Sequence, residues 1–184
     1  MTNKITTAEL QRVLKDRSVR TGFFTLASGK TSTYYVDARL TTMSPEGMVL
    51  IGPLALEIFR TKGWAPDSVG GLTLGADPIA FAISRSSADT DRIIRAFTVR
   101  KEAKTHGMGN RIEGPFKKED KVVIVEDVIT TGKSALQAIE AVEAAGAAIL
   151  GVLAIVDRED GGRQSIAEKG YDVVSLTKIS DLLK

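Results

Sequence analysis

Hydrophobic and polar positions along the chain fall into two periodicities that take turns. Thr6-Thr7-Ala8-Glu9 has the spacing of a helix-capping box, and Leu10, Val13 and Leu14 follow at helical intervals, which predicts a first helix over about 7–17. Residues 22–26 and 34–36 then read as two short strands around Ser28-Gly29-Lys30, the pattern of a hairpin. Ser44-Pro45-Glu46 opens a second long helix with proline in its first turn; it runs to about Lys62, where Gly63 stops it. Pro53 lies inside and is expected to kink or split it. From there strands and helices alternate: strand 68–72, helix 76–84, strand 93–99, strand 122–125, helix 134–145 stopped by Gly146, strand 149–156, short helix 165–169, strand 173–176 and a last turn over 179–183.

That alternation implies βαβ crossovers, and strands apolar at nearly every position need cover on both faces. The expected fold is α/β: a doubly wound, mostly parallel sheet flanked by helices. Ligands of such sheets bind at the carboxyl ends of the strands, so chemistry is expected in the loops after Leu72, Val99, Val125 and Val156. Residues 100–119 are the exception to the pattern. This stretch is rich in charge and glycine without periodicity, and loops of that length usually serve as lids or binding loops.

Composition narrows the classes. The 184 residues, 43% hydrophobic and 26% charged, suit one globular domain spanning 1–184. With no cysteine, neither a disulfide framework, a cysteine nucleophile nor a cysteine-ligated zinc is available. No apolar run is long enough for a transmembrane helix, and the N-terminus lacks the apolar core of a secretion signal, so the expected location is the cytoplasm, away from membranes. A net charge of +2 is too small to argue for nucleic acid. Its placement matters more: 100–121 hold seven Lys/Arg against four Asp/Glu, together with the one histidine, His106.

The strongest chemical signal covers 122–134. A buried strand is followed by Glu126 and Asp127, then Val128 and Ile129, then Thr130-Thr131-Gly132-Lys133-Ser134 at the start of a helix. Hydroxyls and free amides at a helix N-terminus form an anion site, and Gly132 lets backbone approach a phosphate closely. Two carboxylates at the strand end can accept hydrogen bonds from a sugar diol or help hold hydrated Mg2+. Phosphate and diol together suggest a ribose phosphate. A strand ending in solvated acids, with Thr131 or Ser134 as a simple helix cap, is the plain alternative. A nucleotide-triphosphate P-loop is not, because its first glycine would have to stand where Asp127 does.

Residues 122–134 resemble the ribose-phosphate signature of the type I phosphoribosyltransferases. Three further segments resemble the orotate branch of that family: Arg100-Lys101-Glu102-Ala103-Lys104-Thr105-His106-Gly107 its catalytic lid, residues 24–37 its N-terminal hood (about 1–40), and Gly70-Gly71-Leu72-Thr73-Leu74-Gly75-Ala76-Asp77-Pro78-Ile79-Ala80 its pyrophosphate-side loop. The resemblance implies transfer of the 5-phosphoribosyl group from 5-phospho-α-D-ribose 1-diphosphate (PRPP) to orotate, with Mg2+ as cofactor. It implies that Glu126 and Asp127 hold the ribose hydroxyls, with Val128 and Ile129 in the binding stretch, and that Thr130, Thr131, Gly132, Lys133 and Ser134 hold the 5′-phosphate. Arg158 would bind orotate's carboxylate, with Thr130 also touching the base. The lid, about 100–119, would bring Arg100, Lys101, Lys104 and His106 to PRPP, with Lys104 catalytic together with Asp127 and Glu126, which would balance charge at the transition state, and would reach into a second subunit's site, which makes the protein a homodimer. Cations on a closing lid suit a reaction that builds negative charge on a leaving diphosphate. Asp77 could instead be a helix cap, and Arg158 a surface residue paired with Glu159 or Asp160. One position departs from the family: Ala27 stands where some members carry a base-reaching lysine, which leaves the base's carbonyls to backbone, water or Lys30. A purine phosphoribosyltransferase and a non-catalytic PRPP-sensing regulator that binds nucleic acid are the rival readings. The hood and lid weigh against the first; the lack of a spare segment for a winged helix weighs against a DNA-binding form of the second, while the length leaves open an RNA-binding form built on the bare fold.

Overall fold

The computed structural model describes residues 5–25, 29, 31–102 and 111–184. Two sheets organise them. A six-stranded sheet has the order β5-β4-β3-β6-β7-β8, built from β3 (Ser68–Leu72), β4 (Arg95–Val99), β5 (Ile112–Glu113), β6 (Lys121–Ile129), β7 (Ala148–Asp157) and β8 (Val173–Lys178). All neighbours are parallel except the short edge strand β5, which runs antiparallel to β4. A separate antiparallel pair, β1 (Val19–Thr25) and β2 (Thr31–Val36), forms the N-terminal hairpin.

Period-two alternation along β6 sorts its side chains onto two cores. Val123 and Val125 face a layer made by α1 (Thr7–Ser18), α3 (Pro45–Lys62), α4 (Asp77–Ser87) and α7 (Ile179–Leu182), anchored by Leu10, Leu14, Ile51, Ile79 and Ile83. Val122 and Ile124 face α5 (Lys133–Ala144) and α6 (Gly162–Ala167) through Ala138, Val142 and Ile166. Helices therefore cover both faces, as the uninterrupted apolar strands require. From β3 the chain steps one way to β4 and then crosses back to β6, so the order of connection reverses between β3 and β6. The crevice at that reversal is where doubly wound sheets bind ligands.

The first helix carries the expected box: Glu9 N–H donates to Thr6 Oγ1 at 3.4 Å and Thr6 N–H to Glu9 Oε2 at 2.8 Å. α3 starts at Pro45 after the Ser44 cap and stops at Gly63, whose φ is +67°. Pro53 does not split it, because burial of Ile51, Leu54, Ala55 and Phe59 holds the helix together across the lost N–H bond. The fourth helix continues to Ser87, beyond the expected 84. Ser87 is fully buried, and its hydroxyl accepts from Ile94 N–H at 2.8 Å just before β4. Two elements escaped the pattern: α2 (Arg39–Thr42) and β5, which lies inside the stretch read as a long loop. Both are shorter than a period that sequence can register.

The largest correction concerns β6. It does not end at Val125 but runs to Ile129, since Glu126, Val128 and Ile129 all pair in register with β7. The two acids thus belong to the strand, and the site loop begins after Ile129 rather than after Val125.

Candidate active site

A cleft of about 500 Å3 opens at the carboxyl ends of β3 and β6. Its wall comes from Tyr35 to Arg39, at the end of β2 and the start of α2, and from Leu72 to Gly75 at the end of β3; its floor holds Glu126, Asp127, Val128, Thr130 and Ser134, and Lys101 and Arg158 complete it. Topology alone placed chemistry after Leu72 and after the β7 strand, and the cleft contains both.

Burial sets the chemistry of the acid pair. Glu126 is 7% exposed, and its Oε2 is buried without a partner among the described residues. Loss of water, with the Asp127 carboxylate beside it, pushes Glu126 up to about 9. Burial also raises Asp127, partly offset by the Val128 N–H, which donates to Asp127 Oδ1 at 2.8 Å. At neutral pH the pair therefore keeps a proton, and one acceptor oxygen awaits a donor such as a sugar hydroxyl. Gly75 lies against Asp127: a Cβ there would sit 2.6 Å from Oδ1, so only glycine lets the β3–α4 loop approach this closely.

A second, smaller hollow is lined by residues 128–135 and Glu126. Gly132 holds φ +80° at the N-terminus of α5, and no side chain caps that helix. Neither Thr131 nor Ser134 acts as the cap, in contrast to Thr6 and Ser44 on α1 and α3. First-turn amides left without a side-chain acceptor, ringed by exposed Thr131, Lys133 and Ser134, make an anion cradle. The β7–α6 loop braces it: Gly162 N–H donates to Thr130 O at 2.9 Å and Arg158 N–H to Ile129 O at 3.0 Å. The Ile129 side chain itself is core, 1% exposed.

Arg158 directly follows β7, with a side chain only 16% exposed. Its guanidinium carbon lies 5.4 Å from the centre of the Tyr34 ring, and it pairs with Asp160 at 3.2 Å. The Arg158–Asp160 pair foreseen from sequence is thus present, yet the residue still lines the cleft, and its buried Nε has no partner among the described residues. A planar donor with an unmet N–H suits a carboxylate.

The lid residues divide. Lys101 lines the cleft. Arg100 does not; it pairs with Glu113 at 3.7 Å, while its backbone N–H donates to Arg111 O at 2.8 Å. Lys104 and His106 lie outside the described residues, as do Ala27, Ser28 and Lys30. Asp77 is not a helix cap. Its two oxygens accept from Thr73 Oγ1 at 2.7 Å and Thr98 Oγ1 at 2.9 Å, which fastens the Leu72–Gly75 turn to β4. Asp37 and Arg39 went unassigned from sequence, since α2 is too short to leave a periodic trace.

Comparison with known proteins agrees with this architecture. Residues 42–181 match the phosphoribosyl transferase domain model. The chain belongs to the phosphoribosyltransferase family, the class that its fold and cleft define. An orotate phosphoribosyltransferase of Aquifex aeolicus is 47% identical over 178 residues, covering 95% of this chain and 96% of that relative. The Mycobacterium tuberculosis orotate phosphoribosyltransferase, solved with Fe(III) dicitrate, superposes with a TM-score of 0.85 at 43% identity, over 96% of this chain and 98% of that one. The same enzyme solved with PRPP gives 0.82 at 39% identity, over 97% and 99%. Within the family, this chain is a member of the orotate phosphoribosyltransferases.

Proposed function

We infer that the protein transfers the 5-phosphoribosyl group of PRPP to orotate, forming orotidine 5′-phosphate and pyrophosphate in pyrimidine biosynthesis. The observation that carries this is the adjacency, in one cleft, of an uncapped helix N-terminus, a buried acid pair and a desolvated arginine. The α5 amides with Thr130–Ser134 would receive the 5′-phosphate. Glu126 and Asp127 would grip the ribose hydroxyls, and Arg158, with Thr130 beside it, would take orotate's carboxylate and hold the base at C1′. As the C1′–diphosphate bond breaks, charge grows on the leaving group, and Lys101, Lys104 and His106 on the lid would stabilise it while excluding water. Lys104 is the residue we assign to catalysis.

Mg2+ fits the acid pair. Among the described residues no group of three or more ligand side chains stands together, so Glu126 and Asp127 would hold the ion through water, with PRPP oxygens as its other ligands. Bound there, Mg2+ would offset diphosphate charge. We further propose a homodimer with the lid shared between subunits. In support, large apolar side chains are exposed on neighbouring elements: Leu40, Met43, Val49, Leu74 and Phe81, the last 53% exposed. No helix among the described residues is long and apolar enough to cross a membrane, and we assign the enzyme to the cytoplasm.

Turnover with PRPP and orotate, set against hypoxanthine, xanthine and adenine, tests the activity. Orotate alone should be consumed; turnover of a purine instead would overturn the reading.

A further inference from the structure

PRPP carries a monophosphate and a larger diphosphate, and the cradle at Thr130–Ser134 is far smaller than the main cleft, which assigns the single 5′-phosphate to it. The diphosphate must then lie in the wider cleft, whose acidic side chains Asp37, Glu126 and Asp127 would repel it unless cations intervene. The described cations there are Arg39, Lys101 and Arg158. Arg158 is engaged by Tyr34 and Asp160. Lys101 lines the cleft two residues before 103–110, which lie outside the described residues.

Arg39 is different: it is fixed on the body of the protein. Asp37 grips it as a fork, Nε donating to Oδ1 at 2.8 Å and Nη2 to Oδ2 at 3.0 Å, and the Arg39 backbone N–H donates to the same Oδ1 at 3.1 Å. That clamp sets the guanidinium plane at the start of α2 and uses two of its five N–H groups. The three remaining donors have no partner among the described residues, and the side chain is about half exposed, at 47%. Asp127 is close enough for its charge to act on Arg39, and Asp127 in turn adjoins Gly75 of the β3–α4 loop, so guanidinium, acid and loop share one region of the cleft.

We propose that Arg39, clamped by Asp37, is a diphosphate-binding residue: its free N–H groups receive the 1-diphosphate of PRPP and position it for departure. This rests on the phosphoribosyl-transfer reading above and names a residue for the leaving-group side of that site. Asp37 is its positioning residue. The pairing holds the cation in place on the body of the protein, so the side-chain entropy of an arginine is lost in folding rather than in binding.

Calorimetric titration with magnesium pyrophosphate and, separately, with ribose 5-phosphate tests the assignment without requiring turnover. Arg39→Ala should weaken pyrophosphate binding by about tenfold or more, as loss of a charge-assisted contact predicts, and leave ribose 5-phosphate within about twofold. Arg39→Lys should recover part of the affinity, since a point charge remains without the fork. Asp37→Asn should weaken pyrophosphate binding less than Arg39→Ala does. In steady-state assays the PRPP KM should rise in parallel while the orotate KM holds. Unchanged pyrophosphate affinity in a folded Arg39→Ala protein, or an equal loss for ribose 5-phosphate, overturns the proposal; so does a rise confined to the orotate KM. If the wild type binds pyrophosphate through Arg39 but does not turn over orotate, the activity reading fails and the Arg39 assignment stands.

Discussion

Truncating Arg158 to alanine isolates base recognition from sugar-phosphate recognition. The side chain is only 16% exposed, and its buried Nε has no partner among the described residues, so a substrate carboxylate would meet a largely desolvated donor. Hydrogen bonds to charged groups contribute roughly 1.5–3 kcal/mol. Converted at about 1.4 kcal/mol per tenfold, the loss is about 10- to 150-fold in kcat/KM for orotate. PRPP affinity should stay within about twofold, because the cradle at Thr130–Ser134 touches Arg158 only through its backbone N–H to Ile129, which alanine retains. Stability should fall little: the contact with the Tyr34 ring contributes roughly 0.5–1 kcal/mol, and the exposed Asp160 pair less. For a chain of this size that is a drop in Tm of about 1–4 °C. Arg158→Lys should not restore orotate binding, since an ammonium lacks the planar fork. The assay is initial rate against orotate at saturating PRPP, then the reverse, with melting curves of each variant. An orotate KM unaltered in the alanine variant, or equal losses for both substrates, would refute the reasoning.

Three further outcomes are expected. Glu126 is held up at about 9 against an ordinary 4.5, so between those values the folded protein keeps a proton that the unfolded chain has lost. Its burial therefore costs stability progressively as pH rises from about 4.5 to 9, at about 1.4 kcal/mol per pH unit; urea melts at pH 5 and pH 8 should show Glu126→Gln more stable than wild type at pH 8 and similar at pH 5, and equal slopes for both would disprove it. Gly132→Ala places a Cβ 2.8 Å from the Gly162 carbonyl oxygen at φ +80°, and should cost roughly 1–3 kcal/mol of stability while weakening ribose 5-phosphate binding, read by melting and titration. On the proposed lid role, Lys104→Ala should lower kcat far more than it raises the PRPP KM, as charge acting on the transition state would; on the proposed shared lid, mixing it with the Arg158→Ala protein should regain activity through hybrid dimers, and additive rates would argue that each lid serves its own subunit.

The chain by itself determined the alternation of layers. Thr6–Glu9, Ser44-Pro45 and Gly63 announce helix ends through local hydrogen bonding, and residues 68–72 and 149–156 announce buried strands through unbroken apolarity, because both signals live within a few residues of one another. The stretch 122–134 announced an anion site for the same reason: its acids, glycine and hydroxyls are contiguous. Tertiary structure decided the rest. β6 runs four residues further than its composition suggests because register with β7 carries Glu126 and Asp127 into the sheet, and only that burial makes one of them hold a proton. Whether Arg158 faces solvent or the cleft depended on Tyr34, more than a hundred residues away. The Asp77–Thr98 bond, the approach of Gly75 to Asp127 and the reversal of strand order between β3 and β6 all join parts of the chain that lie far apart, and no local pattern encodes a partner supplied by another part of the chain.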